Sequence, residues 1–458
     1  MGPTTSPLHD IKRAPGPKGH WLLGSLKDLQ HHPLRFLDSV AHDYGDIVRL
    51  RLGPEPGFIL RHPNHIQHVL IDNHRNYHKK SRAWNVLRDF LGDGLLTSEG
   101  GFWLRQRRLM QPAFHRERLS ALITIMAQET QGVVQQWNSR IPHEKATIDI
   151  ASEMMRLTLR VASRALLGTE VDGQEEIVER AMRIILETGI HRIPRPYLDY
   201  VPTVGKFKFN RAMKAMDSII AEVIAERHAR KQDPAPPDLL SMLMEAKDED
   251  TGEMMNDRQL RDEVMTMFVA GHETTANALA WTFYVLDRHP EVESRLREEV
   301  SSVLGSRLPQ FTDIPKLTYT LNVVKESMRL YPPVWMVSRL SVAPDEIGGF
   351  FIPKGSTMMI SPYITHRHPG FWKDPLLFNP DRFSTEDVSN LPRFAYFPFG
   401  GGPRQCIGNS FALMEAQIVL STIIQNFRLR LPKEKTVEPE PLITLRPKGG
   451  LHMFVSPV

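Results

Sequence analysis

At 458 residues the chain is longer than one ordinary hydrophobic core organises, so it forms either two domains or one large irregular domain. Hydrophobic residues at 41% and charged residues at 24% exclude a disordered or fibrous protein. A formal charge of +4 without a run of five or six like charges argues against a nucleic-acid-binding tail and leaves a basic face for an acidic protein partner.

The lone cysteine, Cys406, rules out an internal disulfide and a multi-cysteine zinc site, and a reducing cytoplasm is its simplest home. Residues 1–19, rich in Pro, Gly and charge, read as an arm over the surface, and residues 20–458 as a single domain. The N-terminus has no apolar stretch of about 20 residues, so no transmembrane anchor is expected there. Ile47 to Arg61 alternates apolar and charged residues around a Gly-Pro break, a hairpin signal.

Helical periodicity follows at Pro33 to Asp43, Phe102 to Phe114, Arg116 to Trp137, Ile148 to Leu167, Gln174 to Gly189, Lys206 to Arg230 and Pro237 to Lys247. Asp233 to Pro237 reads as a loop rather than a domain boundary, because the flanking composition does not change. Asn256 to His289 is helix-length and apolar all round in its middle, as a helix buried through a core must be. Short strands are expected from Ile347 to Ser361, around Pro353-Lys354-Gly355, and from Thr444 to Val458. The fold class is therefore mainly α with small β-sheets.

Near the C-terminus a glycine run, Gly400 to Gly402, leads through Cys406 into an apolar helix. A thiol near a helix N-terminus is favoured as thiolate by the dipole and the unpaired N–H groups. Without context, a lone cysteine is more often a buried inert thiol. Inside the apolar helix stands Ala270-Gly271-His272-Glu273-Thr274-Thr275. A carboxylate there is costly unless paired or useful. On the bland reading Thr274 bonds back to the carbonyl four residues earlier and Glu273 meets a cation; His272 is read as structural.

The segment FGGGPRQCIG carries the spacing F-x-x-G-x-R-x-C-x-G at Phe399, Gly402, Arg404, Cys406 and Gly408, and here the sequence resembles the cytochrome P-450 family. The resemblance runs from about Pro15 to the C-terminus. It implies the family's single large domain, with haem b (iron protoporphyrin IX) ligated by Cys406. Glu273 and Thr274 then look like the family's acid-threonine pair, which manages protons for dioxygen. Trp103 and Arg107 match a W-x-x-x-R pattern that holds a haem propionate, and Arg339 and Arg404 occupy further propionate-binding places. Glu326, Arg329 and Arg382 match the family's structural glutamate-arginine-arginine set. Taken alone, Glu326 and Arg329 are only an i,i+3 pair on one helical face.

By matched position the substrate pocket is lined by Trp84, Leu87, Leu96, Phe268, Ala270, Val334, Trp335, Met336 and Leu442, any of which is equally at home in a plain core. The stretches GDGLLTSEGGFW and QPAFH resemble the bacterial fatty-acid hydroxylase branch more than the camphor-type branch. However, the hairpin offers Phe58, Ile59 and Leu60 where some members place a carboxylate-gripping Arg/Tyr pair. The resemblance thus implies a monooxygenase acting on a fatty acid or other lipid, with a steroid or terpenoid as the competing substrate. Electrons are expected from a separate ferredoxin, flavodoxin or flavoprotein reductase. A peroxide-using peroxygenase or isomerase, and a non-catalytic haem sensor or carrier, are the other function classes. Arg105, Arg108 and Lys316 read as solvated, or as a basic face that steers an acidic electron donor.

Overall fold

The computed structural model describes residues 12–140, 146–168, 175–193, 195–229, 238–248, 252–384, 386–433 and 435–458. Its longest element is the apolar run of the sequence. Asn256 caps a helix over Asp257–Arg288: its side chain accepts from the Gln259 N–H at 3.0 Å, and the Gln259 side chain accepts from the Asn256 N–H at 2.9 Å. The helix stops short of Pro290, which lacks a donor and opens the next helix, Pro290–Leu304.

The chain divides into two compact units. The first comprises Met1–Asn85, Val334–Leu377 and Asn390–Cys406. Strands Ile47–Leu52 and Glu55–Leu60 form the expected hairpin, and the second pairs in parallel with Thr357–Ile360. Strands Val337–Ser341 and Tyr77–His78 complete a five-stranded sheet. Phe58, Leu60, Ile66, Met358, Ile360, Phe394 and Phe397 are buried together as the core of this unit. The arm is tied down where it is described: Lys12 bridges to Phe350, and the Pro15 carbonyl accepts from the Arg49 N–H at 2.7 Å.

The second unit comprises Val86–Pro333, Phe378–Ser389 and Ile407–Val458. The Asp257–Arg288 helix lies among helices Ile150–Leu167, Val204–Ala229, Thr318–Leu330 and Asn409–Asn426, which explains why it is apolar on every face. Trp281 stacks on Tyr331 at 4.2 Å between ring centres and donates its indole N–H to the Leu445 carbonyl at 2.9 Å. A small sheet joins Ala146–Asp149, His452–Pro457 and Phe427–Arg430.

The expected boundaries shift where a distant partner intervenes. The helix read from Ile148 opens at Ile150, because Ala146–Asp149 pairs with the C-terminal strand and Asp149 caps the helix through the Ala151 N–H. The helix read through Phe114 ends at Met110 and tightens into a 3-10 turn, Gln111–Phe114, at Pro112. Helix Arg82–Leu91 was not singled out by periodicity. The loop read at 233–237 lies outside the described residues, as do Gln174 and Arg230.

Candidate active site

The cysteine loop belongs to the first unit. Gly400 and Gly402 both take positive φ, +68° and +69°, so the chain turns as only glycine does without strain. A Cβ on Gly402 would stand 1.9 Å from the Leu70 carbonyl oxygen, and one on Gly401 2.4 Å from the Phe394 ring. These glycines are therefore required by the loop's own packing. The Cys406 N–H donates to the Phe399 carbonyl at 3.0 Å, and the thiol is exposed. The following helix opens at Asn409 with Gly408 as its cap, so Cys406 precedes the first turn rather than forming part of it. Arg404 lies in the 3-10 turn Gly402–Arg404, half-buried, as is Phe399. Arg339 is buried on strand Val337–Ser341.

The acid-threonine pair belongs to the second unit. Glu273 is 5% exposed, and its Oε1 accepts from the Thr444 hydroxyl at 2.6 Å. Asn277, one turn on, donates to the same hydroxyl oxygen at 3.0 Å. Oε2 has no hydrogen-bond partner among the described residues. Burial pushes this carboxyl above its ordinary value, opposed by the Thr444 hydrogen bond and by the Arg446 charge. A raised carboxyl with one uncommitted oxygen can hold a proton and release it. The Thr274 hydroxyl donates to the Ala270 carbonyl at 2.9 Å, as the bland reading has it, but among the described residues Glu273 is held by a hydroxyl and not by a cation.

His272 is buried, takes its place in a hydrogen bond between Nδ1 and the Phe268 carbonyl, and is pushed down to about 4 by desolvation. It is neutral at physiological pH, in keeping with a structural role. Glu415, on the helix after the cysteine loop, is fully buried and pushed well up by burial. The buried Thr275 hydroxyl is the polar group acting on it, yet neither completes a hydrogen bond among the described residues. Sequence reading passed over Thr444, Asn277 and Glu415. The signal for Thr444 was indirect: a carboxylate in an apolar helix demands a donor.

The structural set is assembled. Arg329 donates to both Glu326 oxygens at 2.7 and 2.8 Å, and Arg382 reaches Oε1 at 3.3 Å. The Asn379 N–H adds a further bond at 2.9 Å. Trp103 and Arg107 lie one turn apart on helix Gly100–Met110, both half-buried. Arg105 and Arg108, expected as solvated, both approach buried Asp248 at 3.6 Å, whereas Lys316 is exposed.

Of the pocket candidates, Trp84, Val334, Trp335 and Met336 lie in the first unit and Leu87, Leu96, Phe268, Ala270 and Leu442 in the second. Trp84 is buried and donates to the Ser338 carbonyl at 2.9 Å; Trp335 and Phe268 are also buried. Leu87, Leu96, Val334, Met336 and Leu442 are half-buried, and Ala270 is exposed.

An exposed thiol in the first unit and a buried carboxyl with an uncommitted oxygen in the second are reactive groups. The sequence matches cytochrome P-450 over residues 14–454. It is 37% identical over 443 residues to a cyclooctatin synthase of Streptomyces melanosporofaciens, spanning 96% of this chain and 93% of that one. Pentalenene oxygenase of Streptomyces avermitilis is 33% identical over 426 residues, 93% of each chain. Leukotriene-B4 omega-hydroxylase 3 of Mus musculus is 31% identical over 470 residues, 96% of this chain and 89% of that one. The chain belongs to the cytochrome P-450 family and is a haem-dependent monooxygenase. Among the described residues, no helix is long and apolar enough to cross a membrane.

Proposed function

We propose that this protein inserts one oxygen atom from dioxygen into an uncharged polycyclic hydrocarbon or alcohol of the terpenoid class. The observation that carries the substrate class is the hairpin. Phe58, Ile59 and Leu60 are 1%, 1% and 0% exposed within the sheet, so this strand brings no cation or phenol to grip a carboxylate. The names of the two Streptomyces relatives point the same way. A fatty acid is the second reading, favoured by the leukotriene hydroxylase.

The cofactor is haem b, which when bound supplies the activation of dioxygen and the oxygen transfer. Cys406, the only thiol, would be its thiolate ligand, on a loop whose Gly401 and Gly402 are fixed by their packing against Phe394 and the Leu70 carbonyl. Trp103, Arg107, Arg339 and Arg404 offer an indole N–H and guanidinium forks suited to two propionates. Phe399, Gly402 and Gly408 shape the loop. Glu273 would hold a proton on a carboxyl whose Oε2 is uncommitted among the described residues, oriented by Thr444 and Asn277, and the Thr274 hydroxyl, which donates to the Ala270 carbonyl, would be the next proton-exchanging group. By matched position, Trp84, Leu87, Leu96, Phe268, Ala270, Val334, Trp335, Met336 and Leu442 would contact an apolar substrate. Residues 20–458 act as one catalytic domain in the cytoplasm, with electrons from a separate ferredoxin, flavodoxin or flavoprotein reductase.

The test is optical. The reduced protein with carbon monoxide should give a red-shifted thiolate-type Soret band that Cys406→Ala abolishes. Titration with a polycyclic diterpene alcohol should then shift the ferric spin state at lower concentration than a long-chain fatty acid does. The reverse order would replace the terpenoid reading with the fatty-acid one, and an unshifted carbon monoxide band would overturn both.

A further inference from the structure

Three consecutive residues near the start of the Asp257–Arg288 helix reach the last turn of helix Arg82–Leu91 and the loop that follows it. Arg261 donates to the Phe90 carbonyl at 3.2 Å, Asp262 accepts from the Asp93 N–H at 2.9 Å, and Glu263 accepts from the Leu95 N–H at 2.9 Å. The loop is built to lie this close. A Cβ on Gly92 would stand 2.1 Å from the Asp262 carboxyl, and one on Gly94 2.3 Å from the Thr266 hydroxyl. The loop also closes on itself: the Thr97 hydroxyl donates to the Gly92 carbonyl at 2.6 Å, and Arg88 to the Thr97 carbonyl at 2.6 Å.

Glu263 differs from its neighbour Asp262, which pairs with Arg261, in having no cationic partner among the described residues. It is 0% exposed, and its other oxygen accepts from the Gln106 amide at 2.9 Å, itself fully buried on helix Gly100–Met110. Burial raises its pKa to about 7, opposed by the Leu95 and Gln106 hydrogen bonds and reinforced by Asp262. A carboxyl so placed is expensive, and it joins three elements: the central helix, the Leu95–Leu96 loop and the helix bearing Trp103 and Arg107.

We propose that Glu263 is a positioning residue of the oxygenation reaction: by holding the Leu95 N–H and the Gln106 amide, it fixes the loop that presents Leu96 to the substrate and so sets which substrate carbon is oxidised. The inference rests on the reading of Leu96 as a substrate-contacting residue. Leu96 follows directly on the anchored amide, so a slip at Leu95 moves its side chain before anything else. Without Glu263, a buried N–H and a buried amide lose their acceptor together.

Glu263→Met, apolar and of similar length, removes both bonds, whereas Glu263→Gln keeps an acceptor for the Leu95 N–H and can donate to Gln106 once that amide turns its Oε1. Hydrogen exchange of the substrate-free holoprotein should show the Leu95 amide exchanging about tenfold faster in Glu263→Met and restored in Glu263→Gln. With the diterpene alcohol as probe, KM should rise about tenfold with kcat little changed and the product ratio broadened, again restored by Gln. Gly94→Ala, which leaves Glu263 intact but lifts the loop off Thr266, should reproduce the KM and product changes and guards against a Met variant that fails to fold. Faster Leu95 exchange with unchanged KM and product ratio overturns the proposal, as does an unchanged Leu95 amide. The exchange measurement needs no substrate, so a wrong substrate class leaves it standing while a wrong anchor does not.

Discussion

The Glu326, Arg329 and Arg382 cluster separates what one residue contributes from what the pattern suggests. Spacing alone puts Glu326 and Arg329 on one helical face, where an exposed pair of small worth is the default. The structure makes both 0% exposed, so their charges survive because they are paired. Arg329→Met leaves a buried carboxylate short of its main cation and should destabilise by about 3–5 kcal/mol. Arg382→Met leaves Glu326 still bonded to Arg329 and to the Asn379 N–H, and should cost clearly less. Urea unfolding of the two variants checks the order, and equal losses would mean that Arg382 matters as much as Arg329. The triplet was legible because its members fall in matched motifs. Thr444 was not, since it meets Glu273 from 171 residues away and no local pattern announces it.

At the scale of elements, the cysteine loop shows how far a motif reaches. Gly402 and Gly408 hold equal rank in the sequence pattern, yet the structure asks different things of them. Gly402 needs φ +69° and an open flank against the Leu70 carbonyl, which is offered by a widened helical turn at His68–Asp72. Gly408 has φ −90°, and an added Cβ would meet the Phe114 ring at an ordinary 3.7 Å. Gly402→Ala should therefore destabilise the apoprotein by well over about 1 kcal/mol, and Gly408→Ala by about 1 kcal/mol or less. Differential scanning calorimetry of the apoproteins distinguishes them; equal shifts would mean that the Leu70 contact yields easily. Most of the longer helices followed from periodicity, which is a local signal, whereas Arg82–Leu91 did not. Strand Ala146–Asp149 did not, because its partner, His452–Pro457, lies at the other end of the chain.

The whole molecule shows its buried ionisable groups in the way its stability responds to pH. Composition and length left one or two domains open, and the two compact units are each assembled from separated stretches that no local pattern joins. Within the second unit, His272 and Glu415 impose opposite slopes. The His272 imidazole is pushed down to about 4, so between its ordinary value near 6.5 and about 4 the unfolded chain binds a proton that the folded one refuses. Folding stability from this residue is full above 6.5 and falls by roughly 3 kcal/mol as the pH drops to 4. Glu415 is pushed up, so its folded form keeps a proton that the unfolded chain gives away above 4.5, and stability falls as pH rises from there by about 1.4 kcal/mol per unit until the folded value is reached. His272→Gln, which cannot charge, should gain on the parent chain as the medium is acidified below 6.5. Glu415→Gln should gain on it as the pH rises above 4.5. Urea midpoints of the three proteins across pH 4 to 8 give both differences, and a Glu415→Gln curve running parallel to the parent would mean that Glu415 is ionised in the fold and has found a cation or a donor.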